Sequence, residues 1–373
     1  EAHLRVALPW VTTPVFRVRN QSFDLTYDDS GAVVHKLQNN DPIDLTIRTD
    51  ADFDQVQLDL LAESFVPQDI MSLRGPLSPF NPWLLGEMSG EAELSYSRSS
   101  GALSYSADLS GRTNNRDLPE QVSLDVRVTG DERAADVEEL SVRPDRGELR
   151  FSGRLAVPDF VPTGAVSLFG FSYGPLSSPL SGVLRVSGTD SGGIAARSSR
   201  LSFGRVVVHD VELAAHTAEQ AATSYEASLS FDEEGTSAVT LSGSAEEGQR
   251  ASAMVKLVRV PALSVYDIAG ELVEVPAEPR EALESVVLDA RADLTMEDGA
   301  YAVEAPYVSA QDLDDMSRFI SFGLSRTERS FEIRHLSAGF GGQRLRGSLA
   351  ADVESSDRID FDSELSVNGN EYM

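Results

Sequence analysis

The sequence predicts an all-β protein. The expected form is a long, curled, mainly antiparallel sheet making an elongated, taco-like groove with an apolar interior and few short helices. Three observations predict it. Apolar and polar residues alternate with period two along nearly the whole chain, which places the apolar side chains of each run on one face of a strand. Clusters of Gly, Ser, Asp and Asn separate the runs at hairpin spacing. Helical periodicity is confined to Leu263–Leu272 and Asp312–Phe322.

The runs follow one another in order. Phe23, Leu25 and Tyr27 alternate with polar neighbours, then Ile43, Leu45 and Ile47, then Val56, Leu58 and Leu60. Leu94 and Tyr96 lead to Leu103, Tyr105, Ala107 and Leu109 across the turn Ser99-Ser100-Gly101. Val122, Leu124, Val126 and Val128 give the cleanest alternation, interleaved with Ser123, Asp125 and Arg127. Leu149 and Phe151, Leu184 and Val186, Leu201 and Phe203, and Val211 and Leu213 continue the pattern. Beyond them come Leu229 and Phe231, Val255 and Leu257, Leu288 and Leu294, Phe331 and Ile333, Leu349 and Val353, and Ile359 and Phe361. Residues 1–258 read as a groove segment of repeated hairpins and 285–373 as its continuation. Residues 259–284, with Pro276-Ala277-Glu278-Pro279, read as a connector holding a short helix.

About 20 strands spaced at about 4.8 Å would make a sheet on the order of 100 Å across, and open sheets of that size twist and curl. With 2 Trp, 16 Phe and almost no helix, the chain has little with which to cover a second face. The apolar face is therefore expected to line a trough. Its candidate lining is Leu45, Leu58, Leu94, Leu103, Leu124, Val126, Leu149, Phe151, Leu184, Leu201, Phe203, Leu213, Leu229, Val255, Leu288, Leu294, Ile333, Leu349 and Phe361. The rival arrangement is a closed β-sandwich in which the same residues fill a core.

Composition excludes several functions. The 373 residues carry a net charge of −29, opposite to the basic footprint that nucleic-acid binding requires. Cysteine is absent, which removes thiolate catalysis, Cys zinc sites and disulfides. Lys36 and Lys256 are the two lysines, so the cations are almost all arginine. No apolar run is long enough to span a membrane as a helix. The chain opens at Glu1 without a signal peptide and ends without terminator character, and reads as an excised segment.

Catalytic and metal motifs fail on inspection, and neither enzyme activity nor a cofactor is expected. Gly170-Phe171-Ser172-Tyr173-Gly174 matches a nucleophile elbow, but Pro175 and Pro179 leave no helix after the serine. Asp50-Ala51-Asp52-Phe53-Asp54 starts like a calcium loop, yet Gln55 and Leu61 stand where Gly and Glu are needed. His209 and His216 read as lying on opposite sides of a turn. Asp312, Asp314 and Asp315 read as a solvated helix start. Arg143, Arg146, Arg150 and Arg154 read as a solvated strand face, with phosphate headgroups as the alternative partner.

Weak internal repeats support the trough. Leu140-Ser141-Val142-Arg143-Pro144-Asp145-Arg146-Gly147, continuing through Leu149 and Gly153 to Leu155, has a later relative. That relative runs from Leu336 through Gly341, Leu345 and Gly347 to Leu349. In both, a strand meets a Gly turn and a second strand ends in Gly-x-Leu; Gly182 to Leu184 and Gly90 to Leu94 carry shorter echoes. At these residues the chain resembles the AsmA-like superfamily and, within it, the TamB-type β-groove proteins of diderm bacteria. The resemblance implies a periplasmic segment, tethered to the inner membrane in the full-length protein, whose groove carries phospholipid acyl chains toward the outer membrane. It also implies an outer-membrane barrel partner of the TamA/BamA type. The family's anchor helix is not found here, so the chain reads as an internal groove segment. Alternatives are a scaffold for outer-membrane barrel or autotransporter assembly by edge-strand pairing, and a closed sandwich of a surface adhesin.

Overall fold

The computed structural model describes residues 2–12, 16–36, 43–74, 81, 86–113, 120–157, 161–172, 179–189, 193–217, 222–246, 250–272, 280–297, 300–355, 358–368 and 370–372. The chain forms two compact units, Glu1–Ser181 and Gly182–Met373. Among the described residues there are 25 strands, somewhat more than the alternation alone indicates, and every described pairing is antiparallel.

The first unit is a meander of β1 (Ala2–Thr12), β2 (Phe16–Asp28), β3 (Gly31–Lys36), β4 (Ile43–Thr49) and β5 (Gln55–Phe65). After a single turn of helix, α1 (Pro67–Ile70), come β6 (Met71–Leu73), β7 (Gly86–Ser97) and β8 (Leu103–Thr113). β9 (Ser123–Asp131), β10 (Ala134–Arg143), β11 (Arg146–Ala156) and β12 (Val161–Ser172) complete it. Each strand pairs with the next, with one exception. The short β6 turns aside to Phe16–Val18 of β2, beyond the stretch that β3 occupies, and β5 pairs directly with β7.

The second unit holds most of β13 (Leu180–Gly188), then β14 (Ile194–Phe203), β15 (Val206–Thr217), β16 (Ala222–Ser230), β17 (Ala238–Glu246) and β18 (Arg250–Pro261). Helix α2 (Ala262–Leu272) and a 3-10 turn (Glu281–Leu283) precede β19 (Val286–Glu297). β20 (Ala300–Asp312), β21 (Phe319–Thr327), β22 (Ser330–Phe340), β23 (Gln343–Ser355), β24 (Arg358–Val367) and β25 (Asn370–Tyr372) follow. From β14 onward each strand again pairs with its successor. β18 and β19 pair directly, so the 259–284 connector is an excursion from an unbroken ladder. Its helix is present as the periodicity indicates; Pro276 to Pro279 lie outside the described residues.

None of the described pairings joins the first strand of a unit to its last, so neither meander closes. Hydrophobic residues are 41% of the chain, yet sixteen are buried among the described residues, six of them alanines. A closed sandwich would seal far more. The accessible surface is 23,288 Å².

Bends are built into the strands. The register slips at Ser64, Asp210, Arg259 and His335, which hold φ of 55°, 47°, 48° and 52°. An extra residue at such a bulge bends its strand and steepens its twist. Two of the bulged amides are taken by the adjoining strand. Ser64 N–H donates to Ser89 Oγ at 2.9 Å, and Arg259 N–H donates to Asp289 Oδ1 at 3.0 Å. Close approach explains Gly153, which stands opposite Gly164; a Cβ there would lie 2.3 Å from the Thr163 carbonyl oxygen.

One helix expectation is overturned. Residues 312–322 are the end of β20, a tight turn and the start of β21. Asp312 Oδ1 accepts the N–H groups of Asp314 and Asp315, and Asp315 Oδ1 accepts the N–H of Ser317. These carboxylates cap turn amides that a helix would have directed along its axis. The same bonds, led by those from the Ser285 hydroxyl to Asp312 and the Ser317 hydroxyl to Asp315, hold both carboxyls below the usual aspartate range.

Candidate functional site

Residues opposite one another across a ladder share a face, so register shows where the apolar side chains gather. In the first unit Leu25, Val34, Ile47, Leu58, Leu94 and Tyr105 stand in one row from β2 to β8. A second row runs through Gly90, Leu109, Val126, Leu140, Phe151 and Val166. A third joins Leu124, Val142, Leu149 and Leu168. In the second unit Leu213, Ala227, Leu241, Val255 and Ala292 align. Further along, Leu288, Ala310, Ile320, Ala338, Leu345 and Val367 align, as do Leu324, Ile333 and Leu349.

The remaining candidates also stand opposite small or apolar partners. Leu45 faces Leu60, Leu103 faces Tyr96, and Leu201 and Phe203 face Val208 and Val206. Leu229 faces Val239, and Leu294 faces Ala253 and Val303. Phe361 is opposite Ala351, but its side chain is outside the described residues. Leu184 packs against the buried patch of Leu201, Val206, Val208 and Val211. Phe151 and Leu201 are buried, Leu213 and Leu294 are 41% and 38% exposed, and the other described candidates are half-buried. A half-buried apolar face is what an unclosed sheet leaves when its side chains shield only one another.

The opposite face is wet and charged. Arg5–Asp24, Asp108–Arg127, Arg197–Glu212 and Arg250–Glu297 are directly opposed pairs with N···O distances of 2.6–3.2 Å. Exposed pairs of this kind contribute roughly 0–1 kcal/mol each, so they mark the solvent face and the register more than they stabilise. Three arginines of the first repeat, Arg143, Arg150 and Arg154, lie there with acidic partners. Arg143 meets Asp125 and Glu148, Arg150 meets Glu148 and Glu139, and Arg154 meets Asp136. Glu148 is a hub, and the hydroxyl of fully buried Ser141 donates to it at 2.7 Å. That bond, with help from Arg150 and Arg143, holds the Glu148 carboxyl below the usual glutamate range against the opposing effect of burial. A hollow of about 750 Å³ opens beside Arg250, Glu297, Ser252 and Thr327, on these polar rows.

Helix α2 is the covering element that alternation misses. Its Ile268 packs on a buried patch of Leu201, Val206, Val208 and Val211, with Leu184, Leu229 and Phe231 around it. Ala262 and Val260 at its root are buried. Asp267 pairs with Arg280 at 3.0 Å beyond the helix. The signal was in the sequence, since Val265, Ile268 and Leu272 recur at helical spacing and such a stripe must find an apolar surface.

No group of three His, Asp or Glu among the described residues is placed to hold a metal ion. His209 and His216 both lie on β15, not across a turn. Asp50 Oδ1 accepts the N–H groups of Asp54 and Gln55, and the Asp54 carboxylate accepts both the N–H and hydroxyl of Ser99. These acids therefore tie two turns together. Ser172 ends β12, and residues 173–178, with the rest of the elbow-like motif, are outside the described residues. No helix among the described residues is long and apolar enough to cross a membrane. No family model, no curated protein and no solved structure matches the chain.

Proposed function

We propose that each unit holds phospholipid acyl chains on its apolar face, and that the chain is a periplasmic segment of a TamB/AsmA-like conduit between inner and outer membranes. The observation that carries this reading is the succession of half-buried apolar rows in register across consecutive strands. An acyl chain in water costs about 0.8 kcal/mol per exposed CH₂. A surface of Leu, Val, Ile and Ala removes that cost along its length, and its uniformity leaves no deep trap, so a chain can slide. The acidic opposite face keeps long sheets apart in solution.

The test is photo-crosslinking from single probe positions during incubation with phospholipid vesicles. Probes at Leu124 or Leu288 capture phospholipid, whereas probes at Asp125 or Asp289 do not. Equal capture on both faces would refute the reading. A scaffold that pairs strands of outer-membrane proteins is favoured by one observation. β1 is hydrogen-bonded to β2 alone among the described pairings, which leaves an edge for β-augmentation. That reading predicts captured peptide and no lipid.

A further inference from the structure

The apolar face of the second unit is unevenly covered. Toward the strand ends near α2, Leu201, Val206, Val208 and Val211 are 4–8% exposed and Ile268 lies on them. Farther along β15, Leu213 is 41% exposed, and on β19 Leu294 and Met296 are 38% and 50% exposed. Register places these residues on one surface. Val208, the partner of Leu201, and Leu213 flank the Asp210 bulge on β15, and the row from Leu213 runs through Ala227, Leu241 and Val255 to Ala292, beside Leu294. The difference between the two halves is α2. It leaves the ladder after β18, returns at β19, and spends the interval over β15, β18 and β19.

We infer that α2 is an internal competitor of the acyl chain: it occupies one half of the second unit's apolar face and confines bound lipid to the lane through Leu213, Leu241 and Leu294. This rests on the acyl-chain reading and specifies where on the face the chain lies. Ile268 presents an aliphatic surface to the patch, as the methylenes of a lipid tail would, so the two compete for one site. The described contacts that hold it include this apolar surface and the Asp267–Arg280 pair, whose side chains are 17% and 42% exposed.

The experiment uses the full chain with photo-leucine in place of leucine, which leaves every side chain close to its native shape. The protein is incubated with phosphatidylcholine vesicles, irradiated, and its lipid adducts are mapped by mass spectrometry. Adducts at Leu213, Leu241 and Leu294 are expected to exceed those at Leu201 and Leu184 by about tenfold, the discrimination that burying one branched side chain supplies. In Ile268→Asp, checked for native β content by circular dichroism, Leu201 adducts rise to the level of Leu241. Ile268→Ala gives an intermediate rise and stands in if the aspartate variant does not fold. Equal labelling of Leu201 and Leu294 in the parent chain would overturn the lane while leaving the acyl-chain reading intact. So would Leu201 labelling that no Ile268 substitution changes. An absence of lipid adducts at every leucine would overturn the acyl-chain reading itself.

Discussion

Leu58 on β5 and Leu94 on β7 stand directly opposite each other, and neither is buried. In a sealed core such a pair would be enclosed by a facing layer. Here they shield one another and their row neighbours Ile47 and Tyr105. Leu94→Ala is therefore expected to cost about 1–2 kcal/mol, against about 3–5 for Phe151→Ala, which empties a buried position. Urea unfolding of the two variants measures the difference. Equal losses would mean that Leu94 is enclosed.

The Ser141–Glu148 bond makes one hairpin pH-sensitive. The Glu148 carboxyl titrates lower in the folded chain than in the unfolded one, so its contribution is complete above the ordinary glutamate range. It is lost as pH falls through the depressed folded value. Ser141→Ala is expected to lower the urea midpoint at pH 6–8, with the gap to the parent narrowing below about pH 4. A gap that stays constant down to pH 3 would show that the hydroxyl acts by packing alone.

Asp289 satisfies the amide of the Arg259 bulge. Asp289→Ala strands that N–H beside the strand and is expected to cost about 1–2 kcal/mol. Asp289→Asn keeps an acceptor in place and is expected to recover most of the loss. Hydrogen exchange at the Arg259 amide reports this directly: fast in Asp289→Ala and protected in the parent and in Asp289→Asn.

A net charge of −29 on open sheets sets up self-repulsion. Raising sodium chloride from 10 to about 300 mM shortens the Debye length from about 30 Å to below 8 Å. The melting temperature is expected to rise, because screening relieves repulsion more than it weakens exposed ion pairs. A falling melting temperature would assign net stabilisation to pairs such as Arg250–Glu297.

Period-two alternation was enough to reveal the class of fold and the face to which most candidates belong, because each strand reports its own two sides. The runs through Leu124 and Leu229 needed no partner to be read. The bulges were harder. Glycine marks some slips, as at Gly147, but Ser64, Asp210, Arg259 and His335 adopt the left-handed conformation without it. Ser89 and Asp289, distant in sequence, hold two of these bends, and no local pattern announces them. Asp312 to Asp315 misled for a related reason, since carboxylates near a segment's start suit a helix and a capped turn alike. The seat of Ile268 depends on pairings dozens of residues away. Its helix was legible, but the surface under it was not.

The stepwise pairing of the strands has a consequence for how such a chain changes in length. Within β1–β12, apart from the short β6, and within β14–β25, each strand bonds to its neighbours in order. Duplicating or deleting one hairpin would displace its neighbours by a fixed step and leave every other register untouched, as in repeat proteins whose modules meet only adjacent modules. A protein made this way can gain or lose strands by unequal recombination, with no new core to invent.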